Sequence, residues 1–446
     1  MKQSFLFFSA ILGLSVVLLA QPADIRGTVG KTGEKPAVAV ADMRGTGAAQ
    51  SLMEAFNRTL YSELQDSGRL KTIPKTVYPL TIPQQPSDFR QPHPWLTDWS
   101  GPPVSANYLA FGYTAVQGNQ LVLFGWFYDV SQSTTQSAQV IGKLYFGSLD
   151  QAGAVKVARD FAVDILKQFG AVSLAGTKIY YVSGSTGTKE IWSMDYDGSN
   201  AKPFTSYRSI TTFPAVSADG TKIAFTTYAR GLPSIFVHSL DTNRKLPFYN
   251  QNASMSAASD FMPDSKHLLI YSTAAGGYAQ IFMSDVDGGN LRRVSHSNSI
   301  DVEPKVNPKT GADLVFISGR SGPPQVYRMS IDGTDVVRLT DGTGECANPS
   351  WSPDGQHIAF AWTRGFEPGN FNIFVMDVAT RDLVQLTHGA GRNENPAWAP
   401  DGIHIVFSSR RGRSTQIYTM LADGSGQKQL TFQGNNEKPV WSKATQ

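Results

Sequence analysis

The chain is poor in the residues that most simple chemistries need. Its 446 residues include one cysteine, Cys346, so no intrachain disulfide can form, and a lone cysteine is best read as a small buried side chain. Seven histidines are spread along the chain. No Gly-x-Ser-x-Gly elbow, His-Glu-x-x-His pair, phosphate loop or dinucleotide fingerprint is present. The formal net charge is only +3, which gives no electrostatic case for nucleic acid. Beyond the first twenty residues there is no apolar run long enough to span a bilayer.

That first run, Phe5 to Ala20 behind Lys2, reads as a secretory signal cleaved after Ala20. No cysteine follows it to carry a lipid, so the mature chain is expected to be exported, soluble and monomeric. Residues 21–35 (QPADIRGTVGKTGEK) hold three glycines and few apolar side chains, and are expected to form an extended, mobile arm.

What the chain does have is a repeat. Asn348 to Phe360 reads NPSWSPDGQHIAF: a strand, a Ser-Pro-Asp-Gly turn, and a second apolar strand. Proline presets φ in such a turn, aspartate bonds the amides ahead, and glycine takes the positive-φ position. The strand-opening residues Ile179, Ile223, Leu268, Leu314, Ile358 and Ile405 recur at intervals of 44, 45, 46, 44 and 47 by subtraction. A further strand follows each one (IWSMD, IFVHS, IFMSD, VYRMS, IFVMD, IYTML), and most run on through an Asp-Gly turn into a short fourth strand. Four strands per unit of about 45 residues is the signature of a propeller blade. Six units make six blades.

The last strand, Lys438-Pro439-Val440-Trp441-Ser442, matches the innermost strands at Asn348 and Asn395, yet no blade follows it. It is expected to complete the first blade, whose own innermost strand is poor, and so close the ring and remove its edges.

Ahead of the blades, residues 36–170 read as a small mixed α/β domain. The expected elements are a strand over 37–43, a helix over 47–68 with Leu52, Phe56, Leu60 and Leu64 on one face, and a short strand over 70–73. A proline-rich loop follows, with a helical turn near Trp95 to Trp99. Three strands come next, over 108–116, 121–130 and 139–146, then an amphipathic helix over 154–169 that covers the sheet. The expected architecture is β-dominated: signal 1–20, arm 21–35, α/β domain 36–170, six-bladed propeller 171–446.

Candidate sites are few. His267, His357 and His404 share one repeat position, so the blade sets them; the other histidines are isolated and offer no ligand set. Arg410, Arg411 and Arg413 form a basic hairpin, either a solvated tip or a surface for an anionic partner. The loops entering the innermost strands carry Glu303, Glu345, Glu394 and Glu437, which are expected to crowd one mouth of the tunnel, either as a site that favours a cation or a basic partner or as plain solvated loop polarity.

The blades with their W-S-P-D-G turn and following I-A-F strand, the α/β segment ahead of them and the SANYLAFGYTAVQGNQLVLFGWFYDV stretch from Ser105 to Val130 together resemble the TolB family of the Tol–Pal envelope system. The order of parts is the specific feature: no hydrolase domain follows the blades. The resemblance implies a non-enzymatic periplasmic scaffold without cofactor or metal, linking inner-membrane TolA to the outer-membrane lipoprotein Pal in envelope integrity and in constriction at division. By position it places Pal on Met255, Ala258, Val302, Glu303, Asn348, Asn395 and Glu437, a face to which the rim reading adds Glu345 and Glu394. It places TolA on Ala23, Asp24, Ile25, Arg26, Gly27, Thr28 and Val29 of the arm. Two other readings stand beside it. One is a periplasmic hydrolase or lactonase with a metal held in the tunnel. The other is a peptidoglycan binder, which exposed aromatics on the rim would favour.

Overall fold

The computed structural model describes residues 34–89, 95–274, 276–364, 370–389 and 391–442, so the signal and arm expectations lie outside the described residues. Its first part is a mixed sheet with spatial order Lys71–Thr72, Ala37–Val40, Tyr108–Gln117, Gln120–Asp129, Gln139–Ser148. The first three of these strands run parallel and the last three antiparallel. Helices Met53–Asp66 (α1) and Gln151–Gln168 (α2) cover one face, burying Phe56, Leu60, Leu64, Phe161 and Ile165 against Leu121, Leu123 and Phe127.

The proline-rich stretch does more than connect. Leu96, Trp99 and Val104 pack on the opposite face against Leu109, Phe111 and Tyr128, so the sheet is buried on both sides. The first strand is shorter than the apolar pattern AVAVADM suggests. It ends at Val40 because the Asn57 amide takes over the backbone of Met43, accepting from its N–H at 2.9 Å and donating to its carbonyl at 3.0 Å. The helix expected from residue 47 opens as a 3-10 turn, Gly47–Leu52, before α1 begins.

From Lys178 onward the chain builds six four-stranded antiparallel sheets. Blade 1 runs Asn436–Trp441, Lys178–Ser183, Glu190–Asp195, Lys202–Pro203 from the inside outward, so the last strand does complete the first blade. Its register sets Asn436 opposite Ser183 and Trp441 opposite Ile179. The innermost strands of blades 2 to 6 are Thr211–Val216, Ser256–Phe261, Asp301–Val306, Cys346–Trp351 and Arg392–Trp398. In each turn of the Ser-Pro-Asp-Gly type the aspartate caps the amides ahead of it, as Asp354 Oδ1 does for Gln356 N at 2.9 Å.

The recurrent histidines serve these turns. His267 and His404 sit on Asp264 and Asp401 at 2.6 and 2.5 Å, and His357 lies 3.8 Å from Asp354. Among the described residues, no helix is long and apolar enough to cross a membrane.

The α/β region sits on the face of the ring that carries these turns, here the lower face. His404 Nε2 lies 2.8 Å from the Asp66 carbonyl, and Lys428 Nζ 3.3 Å from the Asp66 carboxylate. Arg159 of α2 bridges Glu63 of α1 and Asp197 of blade 1, both at 3.0 Å, while the Tyr196 hydroxyl donates to Glu63. Burial pushes the Glu63 carboxyl up to about 7 against the pull of Arg159.

Candidate functional site

With the lower face occupied, the opposite mouth of the ring is the open one. Every innermost strand carries a bulge at the same place. Its register slips between Thr212 and Ala215, Val302 and Lys305, Ala347 and Ser350, Glu394 and Ala397, and Glu437 and Val440. Blade 3 slips between Ala258 and Asp260 without a proline; in the other five blades a proline lies within the slip, where it has no N–H to give the ladder. The residue before it turns left-handed: Phe213, Glu303, Asn348 and Asn395 have φ of 54° and Lys438 of 53°. Residues with side chains adopt that conformation seldom, and it aims these five toward the tunnel. Blade 3 has Ser259 where the others have proline, and Ala258 at the same position is absent from the left-handed set.

The result is a cavity of about 580 Å³ running through the ring from these residues down to the prolines of the lower turns. Three blades are wired together around it. Glu303 accepts from Asn348 N at 2.7 Å and from Asn348 Nδ2 at 3.0 Å. Asn348 Oδ1 in turn accepts from Asn395 N at 3.2 Å, and Asn395 Oδ1 accepts from Ser408 Oγ at 2.9 Å. On the other side, Lys438 Nζ stands 4.4 Å over the Phe213 ring, which meets Tyr271 edge-on at 5.9 Å. Deeper in, Asp260 accepts from Val306 N at 3.0 Å and Phe261 N at 3.1 Å; burial raises its carboxyl, opposed by Lys305 and these two amides. Lys305 is itself tied to the Ser259 carbonyl.

The four rim glutamates do not converge as unneutralised charges. Glu303 faces the cavity, but Glu394 and Glu437 stand one residue earlier in their strands and turn to partners outside it. Arg392 holds Glu394 in a two-pronged pair at 2.6 and 2.8 Å, and Lys189 holds Glu437 at 2.5 Å. Glu345 lies exposed in the loop before its strand, its backbone N–H bonded to Thr363 Oγ1 at 2.9 Å. Among the described residues no three His, Cys, Asp or Glu side chains stand close enough to hold a metal ion. The expected crowd of like charges is therefore corrected to three neutralised or capped carboxylates and one solvated one.

Of the other residues singled out from the sequence, Met255 is 38% exposed beside the mouth, Val302 is half-buried and Ala258 is 1% exposed in the cavity wall. Sequence reasoning passed over Phe213 and Lys438, although both occupy the pre-proline position that an alignment of TTFP and NEKP with DVEP exposes. It also passed over an arc of exposed apolar side chains on the upper loops of blades 2 to 4: Ile210, Tyr228, Met255, Tyr278 and Ile300.

Three comparisons bear on this architecture. The family model described as the TolB beta propeller domain matches residues 168–363 and 341–446. A TolB homolog of Chlorobium chlorochromatii is 33% identical over 58% of this chain and 47% of its own length, so the match spans about half of that relative. A protein named Tol-Pal system protein TolB from Bordetella pertussis is 28% identical over 73% of this chain and 71% of its own length. Among solved structures, TolB from Acinetobacter baumannii superposes with a TM-score of 0.75 at 22% identity, covering 92% of this chain and 97% of that one, which shows the shared fold. The family match spans more than half of the chain, which belongs to the TolB propeller family.

Proposed function

We propose that this chain is the TolB-type component of a Tol–Pal envelope system: an exported periplasmic scaffold that holds two partners and catalyses nothing. Residues 1–20 direct export, residues 21–35 form the arm that engages a TolA-type protein, residues 36–170 form the α/β domain and residues 171–446 the propeller. The upper mouth of the propeller receives a Pal-type lipoprotein on Met255, Ala258, Val302, Glu303, Asn348 and their neighbours round the ring. Through these two contacts the scaffold links the inner membrane to the outer one and serves envelope integrity and constriction at division.

One observation carries the reading. The ring is closed, its lower face is taken by the α/β region, and its upper mouth offers a cavity bordered by exposed apolar side chains. Exposed apolar patches of this kind mark interaction surfaces. The relatives' names supply the system.

The test is capture from envelope extracts by two versions of the chain, one beginning at residue 21 and one at residue 36. Both should retain a Pal-type lipoprotein, and only the longer should retain a TolA-type protein; capture of neither by either version refutes the reading. The exposed rings of Tyr228 and Tyr278 favour a second reading, glycan binding, which co-sedimentation with peptidoglycan sacculi would reveal.

A further inference from the structure

The basic hairpin at Arg410 is one part of a larger pattern. The loop joining the second and third strands of a blade opens upward, and blades 2, 4, 5 and 6 each carry an arginine there that lies over an aromatic ring. Arg230 stands 5.3 Å from the Phe236 ring, Arg320 5.1 Å from Tyr327, Arg364 4.9 Å from Trp362 and Arg411 4.2 Å from Tyr418. Phe236, Tyr327 and Tyr418 hold the same place in their third strands, so the blade itself builds the pattern.

Whether such an arginine pairs within its own blade depends on the innermost-strand residue that faces the end of the second strand. Blade 4 has Asp301 there, fully buried, and Arg320 pairs with it at 3.0 Å. Blades 2, 5 and 6 have Thr211, Cys346 and Asn393 instead. Consequently Arg230, Arg364 and Arg411 are exposed and, among the described residues, form no ion pair; Arg410 and Arg413 beside Arg411 add to the same sign. A guanidinium already stacked on a ring loses little freedom on binding, and the N–H groups it has left can meet a carboxylate; Arg411 already donates from Nε to Ser409 Oγ at 3.1 Å and from Nη2 to Gln427 Oε1. The apolar arc of Ile210, Met255, Tyr278 and Ile300 shares this upper face on blades 2 to 4, beside Arg230 and on other blades than Arg364 and Arg411. Exposed apolar side chains together with charged ones are what protein–protein interfaces combine.

We propose that the upper face is built for a folded protein partner whose docking surface combines carboxylates with an apolar patch, with Arg230, Arg364 and Arg411 as its three anchor points. This rests on the reading that the upper mouth takes a protein, and adds the partner's charge. Carboxylates facing three preorganised guanidinia steer encounter as well as hold it, so the association rate falls as salt rises.

The experiment measures association of the chain with the Pal-type periplasmic domain of the same organism at about 50 and about 500 mM salt, conditions chosen to span strong and weak screening. Three variants are compared with the unaltered chain: R230E/R364E/R411E, R230K/R364K/R411K and Met255→Asp, each checked for native circular dichroism. The expected result is an association rate roughly tenfold or more lower in the glutamate variant, with a flattened salt dependence, and a lysine variant that keeps most of both. If the glutamate variant associates at the original rate and salt dependence while Met255→Asp abolishes binding, the upper face is the docking site but the acidic-partner proposal is wrong. If the unaltered chain ignores the Pal-type domain and instead sediments with peptidoglycan sacculi through these arginines, the ring serves a glycan and the proposal falls. Binding to neither would sink the scaffold reading, and the proposal with it.

Discussion

Trp441 sits opposite Ile179 in blade 1, and its indole Nε1 donates to Thr177 Oγ1 at 2.9 Å, 264 positions earlier in the chain. The last strand is thereby locked onto the first by a buried ring as well as by backbone pairing. Trp441 packs with Ile179, Met194, Val406 and Leu430, so it also joins blade 1 to blade 6. Removing it opens a cavity at the closure itself.

Trp441→Ala is therefore expected to lower stability by about 3–5 kcal/mol, the usual cost of deleting a buried tryptophan. Trp441→Phe, which keeps most of the ring but loses the bond to Thr177, should cost about 1–2 kcal/mol. Urea unfolding followed by far-ultraviolet circular dichroism measures both, and an alanine variant with an unchanged midpoint would show that closure does not rest on this side chain.

Glu303 links blades 4 and 5 through both the backbone and the side chain of Asn348. Glu303→Ala leaves two donors without their acceptor and is expected to cost about 1–3 kcal/mol, whereas Glu303→Gln keeps one acceptor oxygen and costs less. Thermal unfolding ranks the three proteins; equal midpoints for all of them would remove the link's claim to hold the mouth.

Glu63 makes stability depend on pH. Burial moves its carboxyl from 4.5 in the free group to about 7, so the folded chain binds this proton more tightly than the unfolded one. Its contribution therefore favours folding least above about 7, and stability should fall as pH rises from about 4.5 to about 7. Glu63→Gln cannot ionise and should flatten that slope, a difference on the order of 1–3 kcal/mol across the window. Denaturant midpoints at pH 4.5, 6 and 7.5 decide it, and parallel curves for the two proteins contradict the assignment.

The thiol of Cys346 is buried at the start of the innermost strand of blade 5, and burial pushes it up to about 12. The thiolate is the reactive form, so Cys346 should resist alkylation by iodoacetamide at pH 8 in the native chain and react promptly in guanidinium. Rapid native labelling would mean that blade 5 opens readily.

The blades could be read from the sequence because local chemistry repeats in them: the Ser-Pro-Asp-Gly turn dictates its own geometry, and NEKPVW copies CANPSW closely enough to assign the closing strand. The α/β sheet was legible from period and apolar spacing, but the end of its first strand was not. That depends on the Asn57 side chain, which reaches Met43 only after α1 has packed. The mouth was harder for a similar reason. Whether a rim carboxylate is free or neutralised is settled by partners such as Lys189, far from Glu437 in the chain, and by which side of the bulge each residue falls on. The stacked arginines were hidden because each guanidinium and its ring are brought together by the fold, as with Arg230 and Phe236 or Arg411 and Tyr418.

The claim that the upper mouth is where the partner docks is tested most directly by calorimetric titration with the Pal-type periplasmic domain of the same organism. Three proteins are compared: the unaltered chain, Met255→Asp beside the upper mouth, and Lys309→Glu on an exposed turn of the lower face. Binding by the unaltered chain and by Lys309→Glu, with affinity reduced tenfold or more in Met255→Asp, is the expected result; a tenfold loss is about 1.4 kcal/mol. Undiminished binding by a folded Met255→Asp, or loss on altering Lys309 alone, would place the partner elsewhere on the ring and contradict the account.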